Sequence, residues 1–248
     1  MRLLISGLCG HMGSEVARLA LAGYRGAELA GGVDPFGYAE SEIPCAPDFA
    51  SAAADVDCIV DFSHHSGTHA LLDFAVAHHL PLVLATTGQT EEELAAIQAA
   101  SKEIPLFFAA NYSLGIALLI ELAKKTAAAM PEAEIEIIEK HHNRKLDAPS
   151  GTALALADAI REVRPQATVV TGRSGHGKRA PEEIGIHAIR MGNIVGEHEV
   201  IVGTPNQTIT LKHEAHDRAL FAEGALAAAE YLCGKPAGLY DMKSLVSF

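Results

Sequence analysis

The chain has 248 residues, 49% of them hydrophobic and 20% charged, with a formal net charge of −12. That length holds one large domain or two modest ones with a full core, and the hydrophobic fraction excludes a disordered chain. The negative balance argues against a nucleic-acid backbone or an anionic membrane as partner, whereas a small anionic substrate needs a locally basic site.

With no Trp and 5% aromatics, burial rests on Ala, Leu, Ile and Val. Cys9, Cys45, Cys58 and Cys233 are widely spaced without a CxxC pair, against a zinc cage or a disulfide framework. Reduced thiols, a short N-terminal apolar run ending at Gly7 and the lack of a run of bilayer length predict a soluble cytoplasmic protein.

Arg2 to Ser6 reads as a short buried strand that ends in a glycine turn, and Gly13 to Ala22 as a helix with Val16, Leu19 and Ala20 at helical spacing. Glu28 to Val33, Val56 to Phe62, Leu82 to Ala85 and Leu106 to Ala109 read as further strands, and Thr68 to His79 and Glu91 to Ser101 as helices. Strands alternating with helices predict a Rossmann-like parallel sheet covered on both faces, which binds a cofactor at the carboxyl ends of its strands. After Asn111 the texture changes. Ile116 to Ala129 is an apolar helix stopped by Pro131, Glu134 to Glu139 is strand-like, and Thr152 to Val163 is an alanine-rich helix. Strand candidates at Ile184 to Met191, Ile194 to Val202 and Gln207 to His213 follow in close succession, before a final helix over Arg218 to Cys233 and a short tail. These predict a second, α+β domain with a mixed sheet.

Gly7, Gly10 and Gly13 form a GxxGxxG turn between the first strand and the first helix. Side-chain-free backbone there lets amide groups and a helix N-terminus approach a pyrophosphate; an ordinary strand-to-helix turn is the other reading. Asp34 ends the second strand about twenty residues on, where an acid accepts hydrogen bonds from an adenosine ribose. Pro35 follows it instead of a base, so a 2′-phosphate would meet Asp34 with no guanidinium beside it. The expectation is NADH in preference to NADPH, with NADP still possible and His11 a partial compensation. Thr86-Thr87-Gly88 and Ala109-Ala110-Asn111-Tyr112-Ser113 follow the fourth and fifth strands, where such loops meet a cofactor or are simply loops.

His141, His142, Arg144 and Lys145 fall close together in an acidic chain, and Pro149 leads from them into Ser150-Gly151-Thr152 and a helix. Ser150 or Thr152 is placed to cap that helix, and the amides of Gly151 and Thr152 offer a carboxylate site. A histidine beside a lysine and an anion-binding helix end suits general acid catalysis on a carboxylate substrate; a solvated basic loop is the alternative.

The run from His141 to Ala153 resembles the signature EHHxxKxDAPSGTA of the dihydrodipicolinate reductase (4-hydroxy-tetrahydrodipicolinate reductase) family. The resemblance extends to the glycine turn with Met12, Asp61-Phe62-Ser63, Thr86-Thr87-Gly88, Ala109 to Ser113, Gly192 to His198 and Gly238 to Met242, so that it covers nearly the whole chain. It implies a dinucleotide-binding domain of residues 1–112 and 218–248, and a substrate-binding and tetramerisation domain of residues 113–217. The implied activity is NAD(P)H-dependent reduction of a cyclic dicarboxylate imine derivative, 4-hydroxy-tetrahydrodipicolinate, on the lysine and diaminopimelate pathway. His141 would be the general acid and Lys145 its charged, substrate-binding partner. His142, Ser150, Gly151 and Thr152 would hold the substrate carboxylates. Gly7, Leu8, Cys9, Gly10, His11, Met12, Asp34, Ala85, Thr86, Thr87, Ala109, Ala110, Asn111 and Tyr112 would line the cofactor site. No metal is implied. The chain departs from the family at Ala85 (usually Gly), Pro35 (a base in dual-cofactor members), Tyr112 (commonly Phe, so that a hydroxyl contact is added) and Ala117 (often Asn).

Gly172 to Gly185 is glycine-rich and carries Arg173, Lys178 and Arg179, which suits a mobile loop or a lid over a dianion. His64, His65 and His69 include a pair four apart, but no acid completes a metal set, and His78, His79, His213 and His216 read as surface or interface residues. Two other function classes stand beside the reductase: a cofactor-sensing protein that lost catalysis, and a dehydrogenase for another amino-acid-like substrate.

Overall fold

The computed structural model of the protein describes residues 1–37 and 43–246. They form two compact units, one built from Met1–Ser113 with the segment from Ala219 onward, the other from Leu114–Arg218.

In the first unit, β1 (Arg2–Ser6) runs through the glycine turn into α1 (His11–Leu21). Then come β2 (Glu28–Val33), β3 (Cys45–Ala46), β4 (Cys58–Asp61), α2 (Thr68–Ala77), β5 (Leu82–Leu84), α3 (Glu91–Ala100) and β6 (Pro105–Phe108). Leu3, Ile5, Ile59, Val60, Leu82, Val83 and Leu84 are fully buried, as strands sandwiched between helices require. A capping box starts α3: Thr90 Oγ1 accepts from the Glu93 amide and Glu93 accepts from the Thr90 amide at 2.7 Å.

The second unit begins with α4 (Leu114–Ala129) and continues with β7 (Glu134–His141), α5 (Gly151–Val163), β8 (Thr168–Thr171), β9 (Glu183–Arg190), β10 (Gly196–Thr204) and β11 (Gln207–Ala215). The sheet order is β11-β10-β7-β9-β8. β10 is antiparallel to β11 and β7, while β7/β9 and β8/β9 are parallel. Side chains alternate between the faces. Ile135, Ile137, Ile184, Ile186, Val200 and Val202 fall on one of them and make a core with Ala123, Ala127, Ala153, Leu156, Ala157 and Ile160 of the two helices. Buried Arg164 closes the C-terminal end of α4, donating to the carbonyls of Ala127, Met130 and Ala133, where cationic groups meet the negative end of the helix dipole.

The chain then returns to the first unit with α6 (Ala219–Leu232), β12 (Gly238–Tyr240) and α7 (Met242–Val246). Its sheet is parallel throughout, ordered β12-β6-β5-β4-β1-β2-β3. Gly224 of α6 lies against the Tyr112 carbonyl, where a Cβ would come within 1.7 Å.

Four elements differ from the sequence expectation. β3, β8, β12 and α7 are two to five residues long, too short to show a period. β3 and β12 lie at the two edges of their sheet and β8 at one edge of the other. The tail after Cys233 is therefore a sheet strand and a helical turn. The glycine-rich stretch from Gly172 is tied down at its far end. Arg179 donates to Glu136 at 3.1 Å and to the Ile135 carbonyl at 2.8 Å, and Arg173 pairs with Glu183.

Candidate active site

In the second unit, the helix-facing side of the sheet changes character along its strands. On β7 the inward series is Ile135, Ile137, Glu139, His141; on β9 it ends at Arg190, and on β10 it begins at His198. Register puts His198 opposite Glu139, and Arg190 opposite His141. The apolar core thus ends in a polar cluster of four side chains from three strands. Glu139 is completely buried and His141 is 8% exposed. His141 Nδ1 lies 2.6 Å from Glu139 Oε2. Arg190 forks onto the same carboxylate, with Nη1 to Oε2 at 2.7 Å and Nη2 to Oε1 at 2.6 Å. The Ser150 amide donates to Oε1 at 3.0 Å. Burial works against ionisation of Glu139, but Arg190, His141 and the Ser150 amide outweigh it and hold the carboxyl below its ordinary range.

Ser150, not Thr152, is the N-cap of α5, its Oγ accepting from the Ala153 amide at 3.2 Å. The same hydroxyl lies 3.1 Å from His198 Nε2. The His198 ring meets that of His141 edge-on at 5.2 Å. Burial, helped by the charge of His141, pushes His198 down to about 4, so it is neutral at pH 7. Gly151 is exposed at the first turn of α5, beside half-buried Thr152. His142 Nδ1 is buried without a hydrogen-bond partner. Burial and the charges of Arg144, Arg218, His141 and Lys145 hold His142 below its ordinary value, so at neutral pH it is a hydrogen-bonding group rather than a cation.

The basic island is more fully paired than its sequence implies. Lys145 bridges to Asp147 at 2.8 Å and Lys140 to Glu197 at 2.8 Å, while Arg144 donates to Asn193 at 2.9 Å. The most buried cation of the cluster is Arg190, which sequence reading missed because it lies some fifty residues away, joined only by strand pairing. Glu139 carried a weak signal: it is two residues before His141, the spacing that puts both on one face of a strand.

In the first unit, the turn from Gly7 to Gly13 is built for close backbone approach. A Cβ on Gly7 would lie 2.6 Å from the Phe62 carbonyl oxygen, and one on Gly13 would lie 2.0 Å from that of Gly7. Gly10 is the N-cap of α1 with no side chain closing the end, so the first amides of the helix are left for a ligand. Cys9, His11 and Met12 surround this end, and the Leu8 side chain is buried beneath it, so Leu8 offers only backbone. Asp34 accepts from the amides of Cys9 and Phe36, each at 3.0 Å, and lines a cavity of about 630 Å³ with Phe36, Phe49, Phe62 and His64. The turn and cavity therefore fit the pyrophosphate and adenosine half of a dinucleotide.

Asp61, at the end of β4, draws the next loops together: Ser63 Oγ and Thr86 Oγ1 each donate to it at 2.6 Å. Ala85 is half-buried, Thr87, Gly88 and Ala110 are exposed, and Ala109 is half-buried. Asn111 Oδ1 accepts from the Ser113 amide at 2.8 Å. Tyr112 corrects an expectation. Its hydroxyl does not face a ligand but donates to the carbonyls of Leu84 at 2.8 Å and Phe107 at 3.2 Å, with the residue 3% exposed. His65 pairs with Glu93 at 3.1 Å, His64 Nδ1 bonds Ser66, and His69 is exposed. Among the described residues no group of three His, Cys, Asp or Glu could hold a metal ion, and no helix is long and apolar enough to cross a membrane.

A parallel sheet with a glycine cradle, and a mixed-sheet unit with a buried Glu–His pair at a helix N-terminus, define a two-unit oxidoreductase of the Rossmann-like class. Residues 1–112 match the family described as dihydrodipicolinate reductase, N-terminus, and residues 115–246 match dihydrodipicolinate reductase, C-terminus. A 4-hydroxy-tetrahydrodipicolinate reductase of Caldanaerobacter subterraneus subsp. tengcongensis is 47% identical over 99% of this chain and 98% of that protein. One of Clostridium tetani is 41% identical over 100% and 97%. The solved dipicolinate-bound dihydrodipicolinate reductase of Paenisporosarcina sp. TG-14 superposes with a TM-score of 0.82 at 25% identity, covering 99% of each chain. The chain belongs to the dihydrodipicolinate reductase family.

Proposed function

We propose that this chain reduces 4-hydroxy-tetrahydrodipicolinate to tetrahydrodipicolinate in lysine and diaminopimelate biosynthesis, with His141 as general acid and NADH as the favoured cofactor. The observation that carries the reading is the buried His141–Glu139 contact of 2.6 Å at the N-terminal end of α5. The first unit is the dinucleotide-binding domain, and the second binds substrate and forms the tetramer.

A bound reduced nicotinamide supplies the hydride for the electrophilic carbon of the substrate's conjugated imine. The backbone of Gly7, Leu8, Cys9, Gly10, His11 and Met12 would hold its pyrophosphate, and Asp34 its ribose. The loops of Ala85, Thr86 and Thr87 and of Ala109, Ala110, Asn111 and Tyr112 would take the nicotinamide half, Tyr112 through backbone only. His141 delivers a proton as negative charge develops next to the imine, and Lys145 stabilises that charge. Gly151 and Thr152 at the N-terminal end of α5, with His142 and Ser150, would hold the carboxylates of the dianion. General acid help of this kind is worth ~10²–10⁴ in rate.

The sheet of the second unit supports the tetramer. Helices cover one face, and Ile138, Ile189 and Ile201 remain partly exposed on the other. A monomer in sedimentation would exclude that assembly. A cytoplasmic location fits the free thiols of all four cysteines; finding the chain exported in a fractionated cell would refute it.

The test is oxidation of NADH with freshly generated 4-hydroxy-tetrahydrodipicolinate. The native chain should turn over, and His141→Gln should lose ~10²–10⁴ of kcat with cofactor affinity little changed. Full activity in that variant overturns the assignment. Failure of the native chain to turn over would favour a sensing protein or a dehydrogenase for another substrate.

A further inference from the structure

Glu139 has no room for a ligand. It is wholly buried, and both its oxygens are occupied by protein donors: the Arg190 fork, the His141 ring and the Ser150 amide. A carboxylate in that company only accepts, so the proton on His141 Nδ1 points at Glu139 and Nε2 is the nitrogen left for chemistry. The other side of the ring is kept clear by a missing side chain. Gly196 opens β10, and a Cβ there would stand 3.1 Å from His141 Nε2. The same carboxylate, through the Ser150 amide, fastens the residue that caps α5. We infer that Glu139, fixed by Arg190, is the positioning residue of the reaction: it sets the tautomer of His141, steadies its charged form, and locks the proton donor to the helix end that receives the substrate. This rests on the proposed role of His141 as general acid.

The logic is that of any histidine oriented by a buried acid, where the acid holds the ring and stabilises its cation without itself changing protonation. Glu139→Gln tests it sharply. The two oxygens have different company, so the amide has a preferred direction. Its carbonyl belongs on the side of the Ser150 amide and Arg190 Nη2, which turns its NH₂ toward His141 Nδ1 and against Arg190 Nη1, a donor–donor contact that replacing Arg190 as well removes. Neutral His141 would then carry its proton on Nε2, and the imidazolium would face a donor. The charged and titrating groups around the ring are Glu139 on its own strand, Arg190 on β9, His198 on β10, and His142, Lys145 and Asp147 in the loop that follows. Only the first is altered.

In the native protein, ¹⁵N-histidine NMR should show neutral His141 protonated at Nδ1, and in Glu139→Gln at Nε2. In the rate assay, Glu139→Gln should lower kcat about 10- to 100-fold at pH 8, the range for outer partners of an oriented histidine. KM should change less, and the alkaline limb of the profile should move to lower pH, because the imidazolium loses the carboxylate it faces. Glu139→Asp should restore the Nδ1 tautomer and the limb, at a reduced rate. Should Glu139→Gln fail to fold around an unpaired Arg190, the double variant Glu139→Gln with Arg190→Met removes both charges and is read in the same way. An unchanged tautomer with a limb that stays in place, or a loss confined to KM, overturns the inference. Absence of turnover in the native chain would instead refute the reductase reading, and the tautomer measurement would still decide the role of Glu139.

Discussion

Tyr112 differs from Phe by one hydroxyl, and the fold turns that hydroxyl into the core, toward the carbonyls at the ends of β5 and β6. Tyr112→Phe should therefore cost about 1 kcal/mol in urea unfolding, the net value of a buried hydrogen bond. NADH affinity should stay within about twofold; a tenfold loss on titration would put the hydroxyl back at the cofactor. Asp34 works in the opposite sense. It is 5% exposed but lines the cavity, and Pro35 beside it brings no cation. A 2′-phosphate there meets a carboxylate at close range. We expect kcat/KM for NADH to exceed that for NADPH about tenfold, equivalent to ~1.4 kcal/mol, well within the repulsion of two charges near a protein surface. A clear NADPH preference would refute this reading.

At the scale of elements, α5 shows how much can hang on one residue. Ser150 caps the helix, meets His198, and gives its amide to Glu139. Ser150→Ala removes the cap and leaves His198 Nε2 without its partner. A loss of ~1–3 kcal/mol in denaturant unfolding is expected, together with a raised KM for the dianion. A change below about 0.5 kcal/mol would show that the first turn is held by other means. β7 makes the same point in sheet form. Its alternation was legible as EIEIIE, but the expected strand stopped at Glu139; the extension to His141 depends on pairing with β9 and β10. Those partners decide that the last two inward positions become a site instead of a frayed end.

For the whole molecule, buried neutral histidine couples stability to pH. His198 falls from an ordinary 6.5 to about 4, chiefly through burial, so between those values the unfolded chain binds the extra proton and folding becomes less favourable as pH drops. His142 and His213 are also held low, mainly by burial, and act in the same direction. The thermal midpoint should hold steady above pH 6.5 and decline between 6.5 and 4. His198→Gln should flatten that decline; an equally steep one in the variant would place its cause elsewhere. The acidic composition has a similar two-level reading. Net charge describes the scaffold, while Lys140, Arg144, Lys145 and Arg190 gather toward one end of the second unit's sheet and are paired there.

The amino-acid sequence by itself determined the class of fold, the strand–turn–helix cradle and the stretch from His141 to Thr152. Each of these is local: periodicity, glycine spacing and capping residues act within a few turns of chain. Even the resemblance that named the family rested on such contiguous runs. Only the tertiary structure decided what surrounds them. Arg190 and His198 reach Glu139 and His141 across strands that are distant in sequence, and Tyr112 turns inward because the ends of two strands offer carbonyls to it. β3, β8 and β12 exist because a neighbour supplies the hydrogen bonds that so few residues cannot satisfy alone. Local order follows from the backbone's own preferences, whereas the company of a buried charge is set by which distant strand lies opposite it.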